Sequence, residues 1–289
     1  MVLAQEYHQI VVTESKPFVK WVGGKRQLMR ELENNLPKQF GTYHEPFLGG
    51  GAVMFNLLAN EPRLSCNVSD FNSDLILAYV TIRDKLGKLL ESLENHSKNY
   101  HKDSVEYYYQ VRKQEPKQQI EKVSRLIFLN KTCFNGLYRV NKKGQFNVPL
   151  GRYTNPNIIN KENLTAVSKT LQTEKIKISC RDFEAVLDDA KKGDLVYLDP
   201  PYQPISSTAN FTSYTHRDFT EDDLQRLADL ANQLSSKGCH VLLSNSNSKT
   251  VKNHFSGEHW SISKINANRA INSNPAKRTG HKEIIIKNY

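Results

Sequence analysis

Strands and helices alternate over residues 42–94 and again over 175–245, and this order predicts an α/β fold with a mostly parallel sheet covered on both faces. Two more observations refine the expectation. The first strand ends in a run of three glycines, Gly49-Gly50-Gly51. A stretch of different character, residues 86–170, separates the two alternating halves.

The elements follow in order. Residues 42–47 read as a short strand, and the apolar run 52–60 opens a helix behind the glycines. Residues 63–70 form a second strand. From 72 to about 94 the apolar side chains Leu75, Ala78, Tyr79, Ile82, Leu86, Leu89 and Leu90 recur at three-to-four spacing, which predicts one continuous helix. The pattern resumes with a strand at 175–180, a helix at 182–190, a strand at 194–199, a helix at 221–235 and a strand at 240–245, and two late strands lie at 259–265 and 283–288. The intervening segment carries polar helices such as 121–129. Within it, 137–140 and 145–148 flank Asn141-Lys142-Lys143-Gly144, which reads as a β-hairpin with glycine supplying the positive φ. One α/β domain, 1–85 with 171–289, is therefore expected to be interrupted by an inserted module, 86–170.

Composition narrows the function. The 289 residues are 38% hydrophobic and 24% charged, far from the range of chains that stay unfolded. No apolar run approaches the ~20 residues that cross a bilayer, and the first dozen residues lack the features of a signal peptide, so a soluble, cytoplasmic protein is expected. Cys66, Cys133, Cys180 and Cys239 are scattered and form no C-x-x-C pair, which suggests apolar fillers and neither zinc nor disulfides. The net charge is +10, with 40 Lys+Arg against 30 Asp+Glu. Its distribution is uneven: Lys122, Arg125, Lys131, Arg139, Lys142, Lys143, Arg152 and Lys161 fall in a stretch without a single acid. The tail 264–287 is a second basic segment, with Glu283 its only acid. Phe134, Tyr138, Phe146 and Tyr153 are interleaved with the first cluster, a mixture suited to phosphates and bases, although a merely solvated basic face has the same composition.

Two motifs carry chemistry. Glu45-Pro-Phe-Leu-Gly-Gly-Gly51 sits at a strand-to-helix turn, where a ligand can approach backbone N–H groups. It is not a G-x-G-x-x-G fingerprint, because the third glycine would fall on Met54. Asp70, about twenty residues on, stands where an acid binds ribose hydroxyls, or where it caps a helix. Together these point to an adenosine-containing cofactor. The second motif, Asp199-Pro200-Pro201-Tyr202, follows the apolar strand Leu195-Val196-Tyr197-Leu198. Consecutive prolines fix φ and expose carbonyls, leaving a rigid set of acceptors beside an aromatic face. That set suits the exocyclic amino group of a planar base.

In their order along the chain, Lys16-Pro-Phe-Val-Lys-Trp-Val-Gly-Gly-Lys25, Glu45 to Gly51, Ser69-Asp-Phe-Asn-Ser-Asp74, Asn135-Gly-Leu-Tyr-Arg-Val-Asn141, Phe146-Asn-Val-Pro149, Asp199 to Tyr202 and Asn210-Phe-Thr-Ser-Tyr214 resemble the Dam-type DNA adenine-N6 methyltransferases. Only about the first fifteen residues fall outside the likeness. The resemblance implies a Rossmann-like fold dependent on S-adenosylmethionine, with 86–170 as a target-recognition domain. It implies that Trp21 and Lys25 hold the methionine end of the cofactor, that Phe47, Gly49 and Gly51 form its loop, that Asp70 holds its ribose, that Asp182 and Phe183 meet its adenine, and that Asp199 borders it.

The same resemblance implies a catalytic set of Asp199, Pro200, Pro201 and Tyr202 acting on a flipped adenine of double-stranded DNA, without a metal. It matches Lys20, Leu137, Arg139 and Pro149 to positions that touch the bases of GATC, and Asn141, Asn147 and Arg152 to phosphate contacts. Tyr153 joins the DNA face. Phe134 and Asn135 stand where the family wedges a side chain into the gap left by the base; many relatives carry Tyr at the first, so Phe134 keeps the ring and loses the hydroxyl. A monomer is the simplest expectation. Two other readings share part of the pattern: the same chemistry on RNA or protein glutamine, and a catalytically silent DNA-binding protein.

Overall fold

The computed structural model describes residues 14–21, 23–141, 143–202, 219–267 and 281–289. A short turn of 3-10 helix, Lys25–Leu28, runs into α1 (Met29–Glu33), then β1 (Tyr43–Glu45), α2 (Ala52–Asn60), β2 (Cys66–Asp70) and α3 (Ser73–Asp84). Four helices follow: α4 (Leu86–Lys102), α5 (Ser104–Lys113), α6 (Gln119–Thr132) and α7 (Lys161–Leu171). The second half brings β3 (Ile176–Cys180), α8 (Val186–Asp189), β4 (Leu195–Leu198), α9 (Glu221–Ser236), β5 (His240–Ser246), α10 (Lys249–His254), β6 (Ser261–Ala267) and β7 (His281–Lys287).

These strands form one seven-stranded sheet in the order β3-β2-β1-β4-β5-β7-β6. From β3 to β5 every pairing is parallel, and β7 lies antiparallel between β5 and β6. The α/β expectation with a mostly parallel sheet is met. All four residues of β4 are buried, as a strand covered on both faces requires. Strand order reverses between β1 and β4, and at such a switch point the crevice beyond the carboxyl ends of the strands takes ligands. On one side of the sheet, Val53, Leu75, Tyr79, Leu93, Phe128 and Leu164 belong to a single buried cluster, so the helices after α3 pack continuously with those covering β1 and β2. On the other side, Leu198 and Leu243 pack with Leu227, Leu234 and Phe255 from α9 and the end of α10.

The helix expected over 72–94 is two helices. Lys85 leaves the helical region (φ −136°, ψ 33°), and α4 begins beyond it while the apolar spacing continues through the break. The departure lets α4 and α5 surround α6: the Phe128 ring meets His96 at 4.9 Å, Tyr107 at 5.6 Å and Tyr100 at 5.8 Å. The helix expected over 182–190 is a 3-10 turn, Phe183–Ala185, followed by α8, because the Asp182 side chain accepts from the Glu184 N–H and tightens the first turn. The predicted hairpin is present as a turn closed by one antiparallel bridge, Val140 to Phe146, and no ladder extends from it. Gly144 supplies the positive φ (78°), and the Asn141 side chain accepts from the N–H groups of Lys143 and Gln145.

Cys66, Cys133 and Cys239 are buried and Cys180 is exposed. Among the described residues no helix is long and apolar enough to cross a membrane. Lys142, the tail residues Arg269, Lys277 and Arg278, and the segment 210–214 lie outside the described residues.

Candidate active site and nucleic-acid face

Three strands deliver their carboxyl ends to one edge. After β1 the chain turns through Gly49 (φ 50°) and Gly51 (φ 69°), left-handed conformations that glycine adopts without strain. A side chain is also excluded at Gly51, where a Cβ would stand 2.7 Å from the Tyr79 hydroxyl. Tyr79 in turn donates to the Gly49 carbonyl at 3.0 Å. At the end of β2 the Asp70 carboxylate accepts from the Gly49 N–H and the Asn72 N–H, each at 2.8 Å, and so ties two loops together. Burial lifts its pKa, against the pull of these amides. Asn72 caps α3 through the Leu75 N–H, so the capping role weighed for Asp70 belongs two residues later.

An aromatic group flanks this loop. The Phe47 and Phe183 rings stack at 5.2 Å, with Phe219 edge-on to Phe47 at 6.3 Å. Arg226, on α9, lies 4.8 Å from the Phe183 ring centre and donates to Asp182 at 2.9 Å. The Asp182 carboxylate is thus shared between its own turn and Arg226. Trp21 borders the loop, its Cδ1 being 3.0 Å from where a Gly49 Cβ would sit, and it stacks on Tyr138 at 5.1 Å.

Asp199 stands at the tip of β4. Its Oδ1 accepts from the Lys25 ammonium and from the Ser244 hydroxyl, both at 2.8 Å, and Ser244 meets the Tyr197 hydroxyl at 2.9 Å. Lys25 also donates to the Gly23 carbonyl at 3.0 Å and sits 4.9 Å from the centre of the Tyr202 ring. Burial alone would lower the Lys25 pKa; Asp199, with Tyr197 and Glu283 behind it, outweighs burial and raises it above the ordinary lysine range. The Tyr202 hydroxyl donates to Glu283 Oε2 at 2.7 Å. The family resemblance puts Lys25 at a cofactor end; the structure pairs it with Asp199.

The residues matched to DNA contacts gather around the C-terminal end of α6. Asn130, 1% exposed, accepts from the Lys20 N–H at 2.8 Å and donates to the carbonyls of Lys20 (2.8 Å) and Gly136 (3.0 Å). This clamp fixes Lys20 beside the turn Phe134–Gly136, in which Asn135 (φ 56°) and Gly136 (φ 66°) are both left-handed. Phe134 is 39% exposed, and its N–H donates to the Pro149 carbonyl at 2.9 Å. The Lys20 ammonium donates to the Tyr153 hydroxyl at 3.2 Å. Arg139 donates from Nε to Asn147 Oδ1 at 2.7 Å and from Nη2 to the Asn147 carbonyl at 3.3 Å. Asn147 therefore braces Arg139, and the Asn141 side chain is engaged in its own turn. Leu137 is half-buried and Arg152 is exposed.

Sequence reasoning missed Ser244, Glu283, Asn130 and Arg226. Three left a faint signal: Ser244 follows the apolar run Val241-Leu242-Leu243, Glu283 is the lone acid of a basic tail, and Asn130 ends Leu126-Ile127-Phe128-Leu129; Arg226 left none.

A glycine loop after β1 and the Asp199-Pro200-Pro201-Tyr202 tip of β4 lie together at the switch point of this sheet, the place where a Rossmann-like fold takes its ligand. The chain belongs to the D12 class of N6 adenine-specific DNA methyltransferases, whose profile matches residues 21–271. It is 43% identical over 294 residues to the type II methyltransferase M.MjaIII of Methanocaldococcus jannaschii, covering 96% of this chain and 100% of that one. It is 42% identical over 280 residues to the type II methyltransferase M1.LlaDCHI of Lactococcus lactis subsp. cremoris, covering 95% of each. To the DNA adenine methylase of Escherichia coli K12 it is 32% identical over 274 residues, covering 94% of this chain and 95% of that one. By this membership the protein is a DNA methyltransferase specific for adenine.

Proposed function

We propose that the protein methylates the N6 amino group of adenine within GATC in double-stranded DNA, using S-adenosylmethionine and acting on a base rotated out of the helix. The observation that carries this reading is the position of Asp199-Pro200-Pro201-Tyr202, at the tip of β4 beside the left-handed glycine loop of β1. Family membership and relatives called DNA adenine methylases, at about 32% identity, support the adenine chemistry, and the GATC reading rests on the motif resemblance at Lys20, Leu137, Arg139 and Pro149.

The residues at the sheet edge fit S-adenosylmethionine. Two left-handed glycines leave no side chain over the loop, the Phe47–Phe183 pair suits a purine, and Asp70 suits ribose hydroxyls. Trp21 would border the methionine end. When bound, the cofactor supplies a methyl group already activated on a cationic sulfur.

The protein's task is then to make the amino nitrogen nucleophilic and to align it. The lone pair of that nitrogen is delocalised into the purine ring. The Asp199 carboxylate and the Pro200 carbonyl would accept its two N–H groups and draw the lone pair out of conjugation. The prolines hold these acceptors rigidly, which favours in-line attack. The buried amino group of a duplex is out of reach, so the base must leave the stack at a few kcal/mol, offset in part by stacking on Tyr202. Phe134, exposed on its turn, and Asn135 would fill the gap.

In this reading the segment 86–170 is the target-recognition module and 1–85 with 171–289 the catalytic one, in a monomer of the cytoplasm. Lys20, Leu137, Arg139 and Pro149 would meet bases and Asn141, Asn147 and Arg152 the backbone, with Tyr153 on the same face. Sequencing that detects modified bases, applied to DNA from cells expressing the protein, is expected to show N6-methyladenine at GATC. DNA without methylated adenine would overturn the activity, and methylation confined to another motif would overturn the site.

A further inference from the structure

Because β7 runs antiparallel to its neighbours, it begins at the edge where β1, β2 and β4 end. Glu283 lies near that beginning, paired in register with Ser246 of β5 and Ile265 of β6. The residue is 7% exposed, and its carboxylate points into the site, accepting from the Tyr202 hydroxyl at 2.7 Å. A buried carboxylate is a poor choice for holding a fold together, since an apolar side chain of similar volume is often as stabilising. A carboxylate is, however, the strongest neutral-to-charged acceptor available for a phenol.

The prolines fix the backbone of Pro200 and Pro201 and leave the side-chain torsions of Tyr202 free. Asp199 has its own anchor in Ser244, on β5. Tyr202 is held from the next strand in the sheet, through its hydroxyl. Asp199 is thus oriented from β5 and the Tyr202 hydroxyl from β7, with Ser244 of β5 in reach of both.

We infer that Glu283 is a positioning residue of the methyl-transfer centre: through the Tyr202 hydroxyl it sets the plane of the ring against which the extruded adenine stacks. The inference rests on the reading of Asp199-Pro200-Pro201-Tyr202 given above. It requires that Glu283 act on the rate chiefly through Tyr202; because Glu283 also faces the Lys25–Asp199 pair, the coupling between Glu283 and Tyr202, and not the size of either single effect, identifies the role.

The test uses the full chain, a duplex containing GATC, single-turnover methyl transfer, and cofactor affinity by calorimetry. E283A and Y202F are each expected to slow transfer by roughly ten- to a hundredfold while cofactor affinity stays within about twofold, as fits loss of one hydrogen bond to a charged group. E283A/Y202F should be no slower than the slower single variant. E283Q, which retains an acceptor oxygen, should recover most of the rate. Should E283A not fold, E283M, which keeps the volume and removes the acceptor, compared in the presence and absence of Y202F makes the same distinction. Multiplying effects in the double variant, an unchanged rate in E283A, or a matching loss of cofactor affinity would overturn the inference and leave the proposed activity standing. No methyl transfer to adenine by the unaltered protein would overturn the activity, and this role with it.

Discussion

The Lys25 ammonium lies 2.8 Å from the Asp199 carboxylate, with 5% of the lysine side chain and 16% of the aspartate side chain exposed. The aspartate proposed to accept an adenine N–H therefore also neutralises a buried cation. Removing it should have two separable effects. D199A should abolish methyl transfer and, by leaving Lys25 buried without its carboxylate, destabilise the fold by about 3–5 kcal/mol. K25M/D199A, which removes both charges, should regain most of that stability and none of the activity. Urea unfolding beside a methylation assay checks both halves; a double variant no more stable than D199A would show that the pair contributes nothing to the fold.

Gly51 offers a test of the cofactor loop. Its φ of 69° and the Tyr79 hydroxyl 2.7 Å from a would-be Cβ both oppose a side chain. G51A should cost about 1–3 kcal/mol in stability, the usual penalty for a non-glycine residue held in a sparsely populated region. The strain falls on the loop that Asp70 and Tyr79 hold at Gly49, so affinity for S-adenosylmethionine should drop as well. Calorimetry showing G51A binding cofactor as tightly as the unaltered protein would separate this loop from the cofactor site.

On the proposed DNA face the Asn147 side chain and carbonyl hold the Arg139 guanidinium from one side. A guanidinium aligned in this way discriminates guanine by about 1–3 kcal/mol. R139A should lose that discrimination outright. N147A should lose part of it by letting the fork rotate, while affinity for unrelated duplex DNA, set by phosphate contacts and steep in salt, changes little. Methylation rates on GATC and on singly altered sites decide it; an N147A variant with undiminished selectivity would show that Arg139 needs no brace.

What could be read from the sequence follows the range of the interactions. Residues 195–198 announce a strand because burial on both faces demands an unbroken apolar run, and Asp199 to Tyr202 announces a site because its chemistry is packed into four neighbours. The partners of that site are distant: Ser244 is 45 residues from Asp199, and Glu283 is 81 from Tyr202. They meet only because β5 lies beside β4 and β7 beside β5, and nothing local encodes that order. Asn130 clamps Lys20 across 110 residues for the same reason. The break at Lys85 is hidden differently. Apolar residues stay in phase on both sides of it, so periodicity reads one helix where packing against α6 demands two.

His96 gives the helical segment a dependence on pH. Its Nδ1 meets the Tyr107 hydroxyl at 2.8 Å and its ring stacks on Phe128 at 4.9 Å. Burial, helped by the charge of Arg125, lowers its pKa from 6.5 to about 4. The folded protein therefore keeps this imidazole neutral between those values while the unfolded chain takes up a proton. Since stability rises with pH wherever the unfolded state binds more protons, the contribution of His96 is complete above about pH 6.5 and declines as the pH falls toward 4. In H96Q nothing titrates at this position. The stability of the unaltered protein relative to H96Q should thus be constant from pH 8 to about 6.5 and shrink steadily below it. Denaturant unfolding of both proteins across that range measures the difference, and a difference independent of pH would mean that His96 is protonated as readily in the fold as outside it.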